Sequence, residues 1–207
     1  MLIFAIAAMA AQLSAPQGTD IRTVFRDDDV PWNYLPAESD RSVGIRLTVR
    51  PNGKVQSCEI EYPSGIEGLD VYTCKIAKRR ARFAPASAQA GTPAYAVYRT
   101  TIRWIVTDFA TRPPRRDVAD LTLTVSALPA GLKSPEYVYL KFDVDERGFA
   151  SSCSAEGPLR RKNSDDLQLV RVACDELLKS YKPKPAKNEQ GTPVPSVQDA
   201  LVAFATK

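Results

Sequence analysis

Between residues 43 and 62 the chain alternates in polarity. Val43, Ile45, Leu47 and Val49 are apolar, and Gly44, Arg46, Thr48 and Arg50 stand between and after them. A period of two predicts a half-buried strand. Pro51-Asn52-Gly53 reads as a tight turn, because Asn-Gly supplies the positive φ that such a turn needs. Val55 to Tyr62 predicts the returning strand, with Cys58, Ile60 and Tyr62 on one face. Pro63-Ser64-Gly65 ends the hairpin, and the period then lengthens. Leu69, Tyr72, Thr73, Ile76 and Ala77 recur at helical spacing and predict a helix from Leu69 to Arg80. Phe83-Ala84-Pro85-Ala86 ends it, since a residue before proline avoids helical geometry. Gly91-Thr92-Pro93 is a turn. Tyr95 to Val106, rich in Tyr, Val, Thr, Ile and Trp, predicts a long strand.

The second half repeats this order of strand, strand, helix, strand. Val138, Leu140, Phe142 and Val144 alternate, Asp145-Glu146-Arg147-Gly148 turns, and Phe149 to Cys153 returns. Ser164 is placed to cap a helix before Asp165-Asp166. Leu167, Val170, Cys174, Leu177 and Tyr181 follow on one helix face, and the last strand lies near Val197 to Phe204. Landmarks recur with the pattern. Gly53…Cys58 is echoed by Gly148…Cys153, and Cys74 by Cys174. Phe83-Ala84-Pro85 is echoed by Tyr181-Lys182-Pro183, and Gly91-Thr92-Pro93 by Gly191-Thr192-Pro193. Ordered self-similarity of this kind marks repeated units. The chain is therefore expected to be α+β, two tandem modules, each a small antiparallel sheet packed on one helix. The first module covers 19–106, including a polar entry segment with Asp27-Asp28-Asp29-Val30-Pro31-Trp32. A linker covers 107–119, centred on Thr111-Arg112-Pro113-Pro114-Arg115-Arg116-Asp117. The second module covers 120–207, with Leu121 to Val125 as an extra strand and an insertion from Pro158 to Asn163.

Each module is then roughly 80–100 residues, a size at which a buried core is marginal and a covalent staple helps. The chain of 207 residues has four cysteines. Met1 to Leu13 is almost wholly apolar and too short to span a bilayer, which takes roughly 20 residues. With Ala8-Met9-Ala10 as a small-residue cleavage triplet, residues 1–18 read as a secretory signal peptide, although no basic residue precedes the apolar run. The alternative is an inner-membrane anchor formed by residues 2–13. Export implies oxidised cysteines. Three pairings exist for four cysteines, and the repeat favours Cys58–Cys74 and Cys153–Cys174, one per module.

The chemistry expected from the remaining residues is sparse. The chain has no histidine, which removes Ser-His and Cys-His nucleophile pairs and weakens any zinc site. No phosphate-binding glycine loop occurs. Asp27-Asp28-Asp29 and Asp143-Val144-Asp145 lack the ligand spacing of a calcium loop and read as solvated turn acids. The net charge of +4 is too small to mark a nucleic-acid binder. The expectation is a non-enzyme with no metal, no cofactor and no nucleic-acid partner.

The first module resembles the C-terminal domain of the TonB family. The residues that carry the resemblance are Val49-Arg50-Pro51-Asn52-Gly53-Lys54-Val55, Ser64-Gly65, Leu69-Asp70, Phe83-Ala84-Pro85-Ala86, Gly91-Thr92-Pro93 and the strand ending Ile102-Arg103-Trp104. Residues 120–206 resemble it more loosely, without the Ser-Gly and Leu-Asp pieces and with Pro183-Lys184 where Pro-Ala is expected. The resemblance implies a periplasmic domain that captures an extended segment of an outer-membrane receptor, or of another envelope protein, on an edge strand. Family transducers also carry a membrane anchor and a proline-rich spacer. Here only about 25 residues separate the apolar run from the first module, a reach under about 100 Å. Motor-driven transduction is therefore the least favoured reading.

An exposed edge strand offers unpaired N–H and C=O groups to an incoming peptide. The candidate edge runs from Tyr95 to Val106, through Tyr95, Val97, Arg99, Thr101 and Arg103, while Tyr98, Ile102 and Trp104 face the core. Arg99 and Arg103 read either as partner contacts or as gatekeepers against edge pairing. Pro31 and Trp32 are expected to cover the edge. The alternative function is structural, with the two modules pairing edge to edge. Each cysteine pair closes a short loop, so Cys58→Ser is expected to cost about 3 kcal/mol of stability, read from the shift of a urea unfolding curve under oxidising conditions.

Overall fold

The computed structural model describes residues 24–35, 39–88, 91–106, 118–155 and 164–207. The apolar leader, most of the expected linker and the Pro158–Asn163 insertion lie outside these. Strand β1 (Ser39–Val49) turns at Gly53 into β2 (Val55–Tyr62). Helix α1 (Glu67–Arg80), the short β3 (Ala86–Ser87) and β4 (Pro93–Val106) follow. The second half adds β5 (Leu121–Val125), β6 (Glu136–Val144), β7 (Ala150–Ala155), α2 (Ser164–Ser180), β8 (Ala186–Lys187), β9 (Pro193–Val194) and β10 (Ser196–Thr206).

Two separate small sheets were the expectation. Instead the structure has one eight-stranded sheet with the order β2-β1-β4-β10-β6-β7, to which β3 and β5 add at the side, and a small β8–β9 pair. The order reads the same from both ends once β2 is set against β7, β1 against β6 and β4 against β10. Register follows the same correspondence. Leu47 faces Tyr98 across β1–β4, and Phe142 faces Gln198 across β6–β10. Ile45 faces Ile60 across β1–β2, and Leu140 faces Ala155 across β6–β7. Ala86 faces Ala94, and Ala186 faces Val194. Two contacts depart from antiparallel pairing, both on β10: β4 at the centre and β5 at the side run parallel to it.

The helices lie on opposite faces of this sheet. Val43, Ile45, Leu47 and Val49 pack with Leu69, Ile76 and Ala77 of α1, together with Ala96, Ile102 and Trp104 of β4. Leu140, Phe142 and Val144 pack with Leu169, Ala173 and Leu177 of α2. Strand β10 serves both clusters. Val197, beside Ala96, joins the first, and Ala200, Val202 and Phe204 join the second. Residues of opposite parity on a strand point to opposite faces. A sheet whose two halves are covered from opposite sides follows directly.

Local chemistry accounts for the helix starts and turns. Gly53 has φ 77° with the position of a Cβ only 1.9 Å from the Phe83 carbonyl oxygen, so glycine is required on two counts. Phe83 N donates to Gly53 O at 2.9 Å and fastens the chain after α1 to the hairpin turn. Asp70, inside the first turns of α1, accepts from Ser64 N at 2.9 Å, and Ser64 Oγ accepts from Ile66 N at 3.1 Å. These bonds give a physical reason for the Ser-Gly and Leu-Asp pieces. Disulfides Cys58–Cys74 and Cys153–Cys174 tie β2 to α1 and β7 to α2, each with Cα atoms 5.6 Å apart.

Three sequence expectations change. Tyr62 does not share a face with Cys58 and Ile60. A register shift between Gly44 and Ile45 pairs Tyr62 with Gly44, and the Tyr62 ring covers the place where a Gly44 Cβ would stand. Strand β1 is not half-buried from Val43 onward: both parities are covered, and Arg46 and Thr48 are 5% and 2% exposed. The Pro-Ala piece is also present in the second half. Ala81 N bonds Ala77 O and Tyr181 N bonds Leu177 O. Tyr181 is therefore the counterpart of Ala81, and Pro185-Ala186 that of Pro85-Ala86. Pro183, the proline expected at this place, stands two residues earlier in the chain. A Gly44→Ala substitution would set its methyl 2.5 Å from Tyr62 Cδ2 and 2.8 Å from Tyr62 Cβ. It is expected to lose about 1–3 kcal/mol, measured by thermal unfolding of the oxidised protein.

Candidate peptide-binding edge

Strand β4 has one edge closed by β1, from Val49 opposite Ala96 to Ser39 opposite Val106. On its other edge β10 pairs only at Tyr95 and Ala96. Farther along, the same edge of β10 is taken by another part of the chain. Asp120 N donates to Leu201 O at 2.8 Å, Leu201 N donates to Asp120 Oδ2 at 2.9 Å, and β5 pairs with Val202 to Thr206. The two long strands thus part beyond Ala96. Among the described residues no second strand pairs with β4 between Arg99 and Val106.

The five residues of the expected edge meet different fates. Tyr95 lies within the β10 contact, opposite Ser196. Val97 is 1% exposed. Arg99 is held between two carboxylates: its Nε donates to Glu61 Oε2 at 2.9 Å and its Nη1 to Asp120 Oδ1. Thr101 is exposed. Arg103 grips Asp40 with both Nε and Nη2. The arginines are thus tied within the chain. On the opposite face Ile102 and Trp104 are buried, and Tyr98 packs on Phe83 with ring centroids 5.0 Å apart. Trp104 Nε1 donates to Thr73 Oγ1 at 2.9 Å, and that hydroxyl donates to Leu69 O at 2.7 Å, so the buried indole is satisfied.

The entry segment runs along α1 and does not follow the edge of β4. Arg80 Nη1 binds Asp29 at one end of the helix. Tyr34 packs over Gly68 and toward Tyr72 near the other end. Phe25 meets Trp104 edge-on at 5.5 Å. An ion pair, two aromatic pairs and the packing of Tyr34 over Gly68 decide this path, which Pro31 and Trp32 alone did not signal.

Where the halves meet, the polar side of β1 and β2 is covered by the chain after α2. Arg46 Nη2 donates to Lys184 O at 2.7 Å, Gln56 Nε2 to Lys187 O at 2.6 Å, and Gln198 Nε2 to Lys184 O at 3.0 Å. Lys184 pairs with Glu59, and Arg50 with Glu189. Burial draws the Arg46 guanidinium below its ordinary pKa, opposed by Glu59 and Glu61. Burial also works against Arg99, but Asp120 and Glu61 more than offset it and hold its pKa above the ordinary value. Burial, and next the Asp120 carboxylate, pushes the Tyr181 phenol up to about 12. The Tyr181 hydroxyl lies 3.5 Å from Asp120 Oδ1.

Sequence reasoning missed Asp120, Glu61 and Tyr181 as parts of this junction. Asp120 stood as the first residue of the expected second module, and Tyr181 was read as a repeat landmark at the end of a helix face. No local pattern marks an acid that will meet an arginine from another strand. The arrangement offers hydrogen-bonding edges and ion pairs. Among the described residues it assembles no group of acids and cysteines able to hold a metal.

The family model described as Gram-negative bacterial TonB protein C-terminal matches residues 39–106, which are β1 through β4. The match supports a TonB C-terminal domain in this part of the chain, the class of domain found in TonB-like envelope proteins. No curated protein and no solved structure matches the chain.

Asp120→Asn is expected to lower stability by about 2–3 kcal/mol in urea unfolding, because Arg99 then loses its closest charge partner in a half-buried position. The same variant should bring the late-titrating Tyr181 phenol part of the way down toward 10 in an ultraviolet pH titration, with burial keeping it above that value.

Proposed function

We propose that this is an exported, non-enzymatic envelope protein built from two copies of a TonB-C-like module, residues 19–106 and 120–207, that binds extended peptide or protein segments by strand addition in outer-membrane-receptor-linked transport. Three features support the second copy: the palindromic strand order, the repeated register and the matching disulfides. The family match over 39–106 supports the domain class. The single observation that carries the binding reading is that β10 covers the edge of β4 only at Tyr95 and Ala96. The proposed site is accordingly shorter than the full strand. It is the side of β4 away from β1 between Arg99 and Val106, with Thr101 outward and Arg99 and Arg103 fixed beside the edge by Glu61, Asp120 and Asp40.

The reading includes a periplasmic location and two oxidised cysteine pairs. No described helix is long and apolar enough to cross a membrane. A second reading is structural, with the modules serving mainly to pair with each other. The observation that favours it is the meeting of β4 and β10 at the centre of one continuous sheet.

The test is a titration of the ¹⁵N-labelled, oxidised full chain with short extended peptides from TonB-dependent receptors. Strand addition predicts shifts concentrated at Thr101–Val106, with Tyr95 and Ala96 little changed. Absence of shifts, combined with slow amide exchange along Thr101–Val106, would give the structural reading the lead.

A further inference from the structure

We propose that the outer face of α1 docks on the phosphate headgroups of an anionic phospholipid surface. The face is built by Val71, Lys75, Lys78 and Arg79, which share the solvent side of the helix and are exposed, with Arg82 exposed just beyond its end. Among the described residues Lys75, Lys78 and Arg79 form no ion pair. The acids nearby stand at the margins: Glu67 at the far end of the helix, and Asp28 in the entry segment beside the Arg80–Asp29 pair.

Favourable charge at the helix C-terminus explains basic residues in the last turn. It does not explain Lys75, one turn earlier, and the counterpart helix shows that the fold does not require such a face. There Val71, Lys75, Lys78 and Arg79 correspond to Arg171, Asp175, Leu178 and Lys179. That surface is mixed in charge, and α2 has only Lys179 as a basic residue in its last turn. The uniform positive face is particular to α1.

Apolar groups flank the basic ones. Val71 is 61% exposed and Trp32 70% exposed. Trp32 lies in the entry segment between Asp29, bound at Arg80, and Tyr34, bound over Gly68, so the segment carries it along the flank of α1. A basic helix face bordered by an exposed tryptophan suits the headgroup layer, where cations meet phosphate and the indole meets the acyl boundary.

The chain's direction commits the choice of occupant. Val24 O accepts from Arg80 Nη1, so the described chain begins at the basic end of α1. Upstream in sequence lies the apolar run ending at Leu13. Eleven residues reach at most about 40 Å. Where that run is retained in a bilayer, it places the basic face within reach of the same surface. A short apolar run binds weakly alone, and a polybasic patch is the usual second signal.

The experiment is co-sedimentation of the oxidised full chain with vesicles of pure phosphatidylcholine or of phosphatidylcholine with 30% phosphatidylglycerol. The comparison variant is Lys75→Gln/Lys78→Gln/Arg79→Gln, with its unfolding midpoint checked against wild type. Each lost charge is expected to weaken anionic-vesicle binding about 5-fold, on the order of 100-fold for three. Binding to neutral vesicles, which reads the apolar run alone, should not change. Trp32 fluorescence should shift to the blue on anionic vesicles, while the buried Trp104 stays constant. Equal binding of the folded triple variant and wild type to anionic vesicles would overturn the proposal, as would binding with no Trp32 shift. Neither result bears on strand addition at β4, which the peptide titration reads separately.

Discussion

The contact between Arg99 and Asp120 holds the centre of this sheet. Asp120 gives one carboxylate oxygen to Arg99 and the other to the Leu201 amide, while its own amide bonds the Leu201 carbonyl. It therefore sits in the fork where β4 and β10 part. Glu61, placed on the same face by the irregularity opposite Gly44, holds Arg99 from the other side. One arginine thus links β2, β4 and the start of β5. Charged groups in such a place are stable only when each is paired, and here each is.

The polar face of β1 shows what that junction achieves. A strand with Arg46 and Thr48 on one side would ordinarily leave that side in water. In this chain the residues after α2 lie over it and accept from Arg46 and Gln56 through the Lys184 and Lys187 carbonyls. The two halves therefore meet by more than their central strands. They share a sheet, and the chain after the second helix covers the back of the first half. A parallel contact of two residue pairs between β4 and β10 is short by itself. It persists because these side-chain bonds and the β5–β10 ladder surround it.

The proposed activities follow from what this packing leaves open. Strand β10 has both edges used, by β6 on one side and by β4 and β5 on the other. Among the described residues only β1 pairs with β4 from Arg99 to Val106, and this stretch, proposed for strand addition, is framed by arginines whose geometry is already set. The exposed face of α1 is turned away from the sheet altogether. Capture of a segment and contact with an anionic surface would use different sides of the first half.

Much of this was legible in the chain alone. Alternation from Val43 to Val49, the Asn-Gly turn, the helical spacing from Leu69 to Ala77 and the repeated glycine and cysteine landmarks determined the elements and their order. These are local effects, set by period, turn chemistry and the avoidance of helix before proline. Position in the sheet was not local. Whether β4 is an edge depended on β10, more than a hundred residues later in the sequence. Arg46 was read on the polar side of a half-buried strand because its cover comes from Lys184, and Arg99 was read as a partner contact or a gatekeeper because its partner Asp120 comes from the start of the expected second module. Tyr62 turned to the other face through a single register shift, which an alternating pattern cannot carry. The sequence by itself determined the longer secondary elements, the cysteine repeat and the resemblance of the first module to one class of domain. Only the tertiary structure decided which edges and faces remain available, because that depends on partners brought together by long-range hydrogen bonds and ion pairs.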